Sequence, residues 1–268
     1  MLTITGKPES NVGTWTSHDE SRGERNEWSI DDNIHVQFDY YFNRKIVMLP
    51  RSLVSLELGK LFNHNIDAGV LPSTLRVLVL GDRFNKPIGP GVLPDELEKL
   101  VFGSDFNNEL VMPMKLLSLT FGHSYNRPIT WQTPILARLQ FGMWFNQPIP
   151  YFECLEHLVF GDDFNQPIDS LSPILKSLRF GLSFDQPLEN LPYDLESVHL
   201  GYCFNSDFKC PPNLKHLHIG PMYSGAVPYH VPTLEVVRTL EDDSVCHRMS
   251  FWAYQMFMFA HSMNSAHT

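Results

Sequence analysis

The sequence predicts a β-rich solenoid, an array of about nine to ten coils of 19 to 22 residues with one parallel sheet along one face. Two observations support this fold class. A short motif returns at a nearly fixed period along most of the chain, which is the signature of a repeat architecture. Within each copy, apolar and variable positions alternate over a few residues, which is typical of a short strand.

The repeated motif is centred on a glycine that follows an aromatic or aliphatic residue. Its clearest copy, residues 155–168, reads Leu-x-x-Leu-x-Phe-Gly-x-x-Phe-Asn-x-Pro-Ile. An earlier copy has Asp39 in the glycine position, and the period ends near residue 240. The array is therefore expected to span residues 34–240. Glycines equivalent to Gly161 stand at steps of 19 to 22 residues: Gly59, Gly81, Gly103, Gly122, Gly142, Gly181, Gly201 and Gly220.

Each copy predicts one strand followed by a bend and an irregular return. Leu158 and Phe160 should point inward, while His157 and Val159 point outward. The connections between strands are too long for hairpins and repeat the same residues, so successive strands should pair parallel and in register. Gly161 and its equivalents are expected at the bend, where glycine tolerates the positive φ that a tight turn requires.

The asparagine after the second aromatic residue of each copy is predicted to have a structural role. A polar residue in every apolar coil must be hydrogen-bonded, since an unsatisfied buried group costs about 1 to 3 kcal/mol. We expect a ladder in which each amide bonds the turn backbone of its own and the next coil. A row of ligand-binding amides is the alternative. The ladder residues are Asn63, Asn85, Asn107, Asn126, Asn146, Asn165, Asp185 and Asn205.

These repeats resemble the FNIP repeat family, a short leucine-rich-like repeat named for its Phe-Asn-x-Pro core, and the resemblance covers roughly residues 34–240. It implies a leucine-rich-repeat-like solenoid of a kind known mainly from amoebae and the giant DNA viruses that infect them. It also implies a binding scaffold without an assigned activity. Some family members carry an F-box ahead of the repeats, which implies a ubiquitin-ligase adaptor. The polar segment before this array lacks the apolar pattern of that helical domain.

The two ends of the chain differ in composition from the array. Residues 1–33 are polar and aperiodic, and they are expected to be disordered or to form a partial cap that begins near Trp28. Residues 241–268 contain a cluster of aromatic residues and methionines. A capping helix is the first interpretation, because an open solenoid end exposes apolar surface. A segment that binds a partner or a membrane surface, or an ill-ordered tail, remains open.

Composition limits the partners and the compartment. The formal net charge of -10 argues against nucleic acid as a partner. The four cysteines show no Cys-x-x-Cys spacing, so neither a disulfide framework nor a zinc site is indicated. No secretory signal is visible, and the longest apolar run is too short to span a bilayer. A cytoplasmic protein is expected, in the host cytoplasm if the chain is viral.

No catalytic motif stands above background. The sequence contains neither His-Glu-x-x-His nor a nucleophile elbow, and Gly89-Pro90-Gly91 is interpreted as a turn insertion. We therefore expect no enzymatic activity and no cofactor. His199, His216 and His218 should lie close together, which suggests either zinc binding or a protonation-sensitive surface. No carboxylate or thiol is predicted beside them, and no metal site is assigned.

The outward positions of the predicted sheet form the candidate site. Four fixed cations against the one acidic Glu57 make this face basic in an acidic protein. It should bind a protein partner, such as an acidic or extended segment. A solvated face without a partner is the alternative. The candidate partner-binding residues are Lys99, Arg138, His157, Arg179, His199, His216, His218 and Arg238.

Three functions follow from these features. The first is a non-enzymatic protein-interaction scaffold that uses the exposed sheet face. The second is a structural or assembly component that associates through residues 241–268. The third is a ubiquitin-ligase substrate adaptor. The sequence leaves the oligomeric state open.

Overall fold

The structure is a computed structural model, and it describes residues 2–5, 34–131 and 133–226. The chain divides into two compact units, Met1–Leu136 and Ala137–Thr268. Both units are built from the same coil, in which a short strand leads into a bend and an irregular return path. No helix is present among the described residues.

The described residues of the first unit form six strands that pair in parallel in chain order. They are β1 Leu2–Thr5, β2 Ile34–Gln37, β3 Leu53–Glu57, β4 Val77–Val79, β5 Lys99–Val101 and β6 Ser118–Thr120. One irregularity interrupts the register between β2 and β3, where Ile34 faces Leu53 but His35 faces Ser55. The extra residue, Val54, forms a bulge.

The second unit repeats this arrangement, and its described strands pair without a register shift. Its strands also pair in parallel in chain order. They are β7 Arg138–Gln140, β8 His157–Val159, β9 Ser177–Arg179, β10 Ser197–His199 and β11 His216–His218. The predicted parallel, in-register solenoid is thus confirmed in each unit.

The ends of the array are described only in part. β1 lies inside residues 1–33, for which disorder or a partial cap was expected, and the rest of that segment falls outside the described residues. The strand expected over 234–239 and the capping helix expected over 241–268 also fall outside them. The proposed domain boundaries at 33 and 240 therefore stay predictions.

In most coils two aromatic residues stack on each other, and the second of them stacks on its equivalent in the next coil. Phe160 and Phe164 have ring centroids 3.7 Å apart and nearly parallel planes. Phe164 in turn lies 6.1 Å from Phe145 and 6.0 Å from Phe184, again with parallel rings. Such aromatic pairs contribute about 0.5–1.5 kcal/mol each beyond the burial of their area. The motif thus builds a continuous aromatic column inside each unit.

The repeat glycines are required for a different reason from the one predicted. Among the described residues, only Gly69 and Gly91 are glycines with positive φ, and neither belongs to the repeat column. At Gly81, an added Cβ would overlap the backbone carbonyl of Gly59 in the preceding coil, and Gly161 meets Gly142 in the same way. The expectation of a positive φ was wrong, because the constraint is the close approach of two backbones.

The ladder residues are linked by hydrogen bonds between coils. The side-chain Oδ1 of Asn63 accepts the backbone N–H of Asn85 at 3.1 Å, and Asn85 accepts that of Asn107 at 3.0 Å. In the second unit, Asn165 Oδ1 accepts the N–H of Asp185 at 3.0 Å and the side-chain amide of Gln186 at 3.1 Å. An aspartate serves equally well, since Asp185 Oδ1 accepts the N–H of Asn205 at 2.8 Å.

We predict that Gly81→Ala destabilises the protein by about 1–3 kcal/mol, because the new methyl group forces two coils apart. Gly89→Ala is the control, since a Cβ there meets nothing within 4 Å. It should change the free energy of unfolding by less than about 0.5 kcal/mol. Denaturant titration measures both, and equal losses would contradict the steric role of the glycine column.

We also predict that Asn165→Leu costs about 1–3 kcal/mol, because the N–H of Asp185 loses its acceptor. Asn165→Asp keeps an oxygen in the same place, as Asp185 does one coil later, and should lose clearly less. Thermal melting of the two variants checks this. If both melt at the same temperature, the ladder does not act through its acceptor oxygen.

Candidate functional site

The outward face of the second unit brings most of the candidate residues together. The register aligns Ser177, Ser197 and His216 in one column across β9, β10 and β11. Arg179, His199 and His218 form the adjacent column on the same strands. The small pleated strands therefore place six polar side chains on a patch two residues wide.

The remaining candidates lie elsewhere or outside the described residues. Arg138 and His157 are neighbours on β7 and β8, in line with the serine column. Lys99 belongs to the sheet of the first unit, between Val77 and Ser118. Arg238 falls outside the described residues. The partner-binding role of all eight residues stays a prediction.

His199 and His218 stack face to face, with ring centroids 4.0 Å apart and an angle of 8° between the planes. Burial lowers the pKa of His199 to about 4, and the nearby His218 and Arg179 add to this effect. Burial also lowers the pKa of His218, with a further contribution from Arg179. Both imidazoles are therefore neutral at pH 7. Neither ring therefore adds positive charge to the face at pH 7, because burial and the adjacent Arg179 disfavour the protonated form.

A shallow depression of about 240 Å³ lies over these strands. Its polar lining consists of serine hydroxyls, imidazoles and one guanidinium, and no carboxylate borders it. The named polar residues are Ser177, Ser197, Arg179, His199, His216 and His218. The two serines were not among the predicted partner-binding residues, because a hydroxyl gives no charge signal in a sequence. The sequence signal that identifies them is their position, because both serines lie in the outward column between His157 and His216.

Among the described residues, the two arginines of this face form no ion pair, in contrast to a lysine at the coil edge. Lys215, next to β11, forms an ion pair of 3.0 Å with Glu196 of the preceding coil. Arg138 and Arg179 are exposed, and neither forms an ion pair with any residue that the structure describes. Their charges are thus available to a ligand from outside the chain.

The donor set suits an anionic group better than a metal ion. Within the described ranges, no three His, Cys, Asp or Glu side chains are grouped so that they could hold a metal ion. Arginine and hydroxyl donors instead complement carboxylates, with which arginine forms paired hydrogen bonds. The patch therefore offers hydrogen-bond donors that complement carboxylate groups.

Within the described part of the chain, no helix has the length and apolar character that crossing a bilayer requires.

Comparison with known proteins finds a match to a repeat family within the array. The family model described as FNIP Repeat matches residues 62–105. Among solved structures, the chain is similar to CroV588 of the giant virus CroV, described as a novel circular LRR protein, with 32% identity and a TM-score of 0.55. The match covers 75% of this chain and 40% of that chain. No curated protein matches significantly.

We predict that acidification destabilises the protein partly through His199. Its pKa is depressed in the folded state, so the stability contributed by the neutral ring is present above about pH 6.5 and is lost as the pH falls towards 4. His199→Phe keeps the stacked ring but cannot be protonated. Between pH 7 and 4 the wild type should lose on the order of 1–2 kcal/mol relative to this variant, since solvent screening reduces the full effect. Parallel curves of melting temperature against pH would refute this.

Proposed function

We propose that this chain, an FNIP repeat protein with a leucine-rich-repeat-like fold, is a non-enzymatic scaffold that binds an acidic, extended segment of another protein. The binding surface is the outward sheet face of the second unit. The observation that supports this most directly is the difference between cations that have an acidic partner and cations that have none. The edge cation Lys215 has an acidic partner within the chain, whereas Arg138 and Arg179 on the sheet face have none among the described residues.

The dimensions of the face suit a short extended segment. Strands in a sheet lie about 4.8 Å apart, so the five strands β7 to β11 span roughly 19 Å. An extended chain of about six residues covers that distance at 3.3 Å per residue. Arg138 on β7 and Arg179 on β9 are two strands apart across the sheet and two residues apart along it, roughly 12 Å in all, which matches carboxylates four residues apart on one face of such a segment.

The neutral histidines give this surface a second component. The stacked rings of His199 and His218 present imidazole edges and a partly exposed aromatic surface beside Arg179. Neutral imidazoles donate and accept hydrogen bonds without a charge to desolvate. The face thus combines two charge contacts with a neutral polar patch, which favours one orientation of the bound segment.

The net charge of the chain sharpens this preference. With a formal charge of -10, most of the surface repels acidic segments. An acidic partner is therefore directed to the part of the surface where unpaired arginines dominate, and association slows as salt increases.

We place the protein in the cytoplasm and do not expect nucleic acid as its partner.

The other two functions predicted from the sequence depend on residues outside the described ranges. Assembly through residues 241–268 and an adaptor role recruited through residues 1–33 both stay sequence predictions. No observation on the described residues favours either over the scaffold function.

Affinity capture from the native cell lysate tests the scaffold. The full chain should retain a protein partner that is lost when Arg138→Glu and Arg179→Glu are combined. The charge-matched control combines Arg44→Glu with Arg51→Glu, two exposed arginines away from the sheet face, and should keep the partner. Purified partner should then bind the wild type more weakly as salt increases. Equal capture by both double variants would overturn the proposal.

A further inference from the structure

A second, smaller ladder lies on the return path of the first unit, away from the main sheet. Ile88 forms an isolated parallel bridge with Leu110 of the next coil. The backbone N–H of Ile88 donates to the carbonyl of Glu109 at 2.9 Å, and the N–H of Val111 donates to the carbonyl of Ile88 at 2.8 Å. Both polar groups of Ile88 are thereby used.

This ladder ends with an open edge. Because Glu109 and Val111 bond Ile88, the N–H and C=O of Leu110 between them point to the opposite side. Neither group forms a hydrogen bond within the part of the chain that the structure describes. The following coil approaches nearby, where Arg127 Nε donates to the carbonyl of Asn107 at 3.0 Å, but it supplies no third rung. An unpaired strand edge is a template for another strand.

A groove of about 430 Å³ borders this edge and is lined by the return paths of three successive coils. Its volume lies in the range of about 300–1,000 Å³ that is usual for ligand sites. The lining is mainly apolar and includes Pro87, Pro90, Leu110, Val111, Pro128 and Trp131. Trp131 is buried, and its Nε1 donates to the hydroxyl of Tyr125 at 3.4 Å. The groove is therefore lined by two buried aromatic side chains that are hydrogen-bonded to each other, beside an open backbone edge.

The exposed side chains beside this edge differ in character. Glu109 has 83% of its side chain exposed, and its ion pair with Arg127 is long, at 3.8 Å. Surface pairs of this kind contribute little, so most of the carboxylate's charge is available. Val111, on the other side of Leu110, is 47% exposed. The edge thus offers an acidic position, an unpaired backbone and an apolar position in sequence.

We propose that this groove, formed by residues 87–90, 108–111 and 125–131, binds an extended segment of another protein that pairs with Leu110 as a third parallel strand. The segment has the pattern basic, any residue, apolar. Its central residue lies opposite Leu110, and the residues before and after it exchange hydrogen bonds with the N–H and C=O of Leu110. The basic residue lies beside Glu109 and the apolar residue beside Val111, as cross-strand neighbours do.

Charge complementarity and continuity of the ladder both select this occupant. A basic residue satisfies Glu109 in a chain whose net charge is -10, and the segment extends a bridge that already exists between Ile88 and Leu110. Strand addition of this kind takes its affinity from backbone bonds and its specificity from alternate side chains. The groove is independent of the sheet face, so either site can fail without affecting the other.

The test uses the full chain and a fluorescently labelled, acetylated pentapeptide, Thr-Lys-Leu-Val-Thr. Fluorescence anisotropy gives the affinity, and the shift of the Leu110 amide in nuclear magnetic resonance spectra gives the place. Two peptide controls are included. One has Glu in place of Lys and should bind about three- to tenfold more weakly, because like charges then lie opposite each other. The other carries an N-methyl group on its valine, which cannot donate to Leu110, and should not bind.

A charge-reversed protein completes the design. Glu109→Lys is tolerated at so exposed a side chain, which an unchanged melting temperature verifies, and it should prefer the Glu peptide over the Lys peptide. Equal binding of the N-methylated peptide would overturn strand pairing. A preference for Lys that survives Glu109→Lys would overturn the assigned register. Absence of peptide binding at protein concentrations up to about 1 mM, at which even weak complexes form, would overturn the proposal. It would do so even if an apolar dye binds in the groove.

Discussion

The structure depends on the close stacking of one backbone on the next at the repeat glycines. Parallel strands hold successive coils about 4.8 Å apart, and at this spacing no side chain fits between Gly142 and Gly161. The aromatic column needs the same spacing, since its rings stay parallel at about 6 Å only if the coils do. The Asn column needs it as well, because a carboxamide oxygen must reach the N–H of the next coil.

These inward constraints leave the outward positions free to vary. Leu158 and Leu178 are buried alike, whereas their outward neighbours range from Val159 to Arg179. Features that suggest binding accordingly lie where the repeat does not dictate the residue, on the sheet face, or where its hydrogen bonds stop, at Leu110. A regular solenoid thus offers two kinds of site: a patterned surface and a defect in the pattern.

Most of the fold could be predicted because one period explains it. The inward positions of Leu158 and Phe160, the parallel register and the bend at Gly161 all agree with the sequence-based expectations. The reason for the glycine differs from the expectation. A tight bend and a close contact between two backbones both select glycine, so the sequence does not distinguish them. The groove beside Leu110 was missed for a related reason. The sequence around Pro128 and Trp131 resembles that of any other return path. It does not reveal that the backbone of Leu110 has no hydrogen-bond partner among the described residues.

The sequence by itself determined which side chains become neighbours. A fixed repeat aligns equivalent positions, so Arg179, His199 and His218 had to share a column in the second unit. The tertiary structure alone decided what those neighbours do to one another. Protonation of the histidines depends on burial and on a ring separation of 4.0 Å, and the availability of Arg179 depends on which carboxylates come within reach. These quantities depend on distance and solvent exposure in three dimensions, and residue order does not specify them.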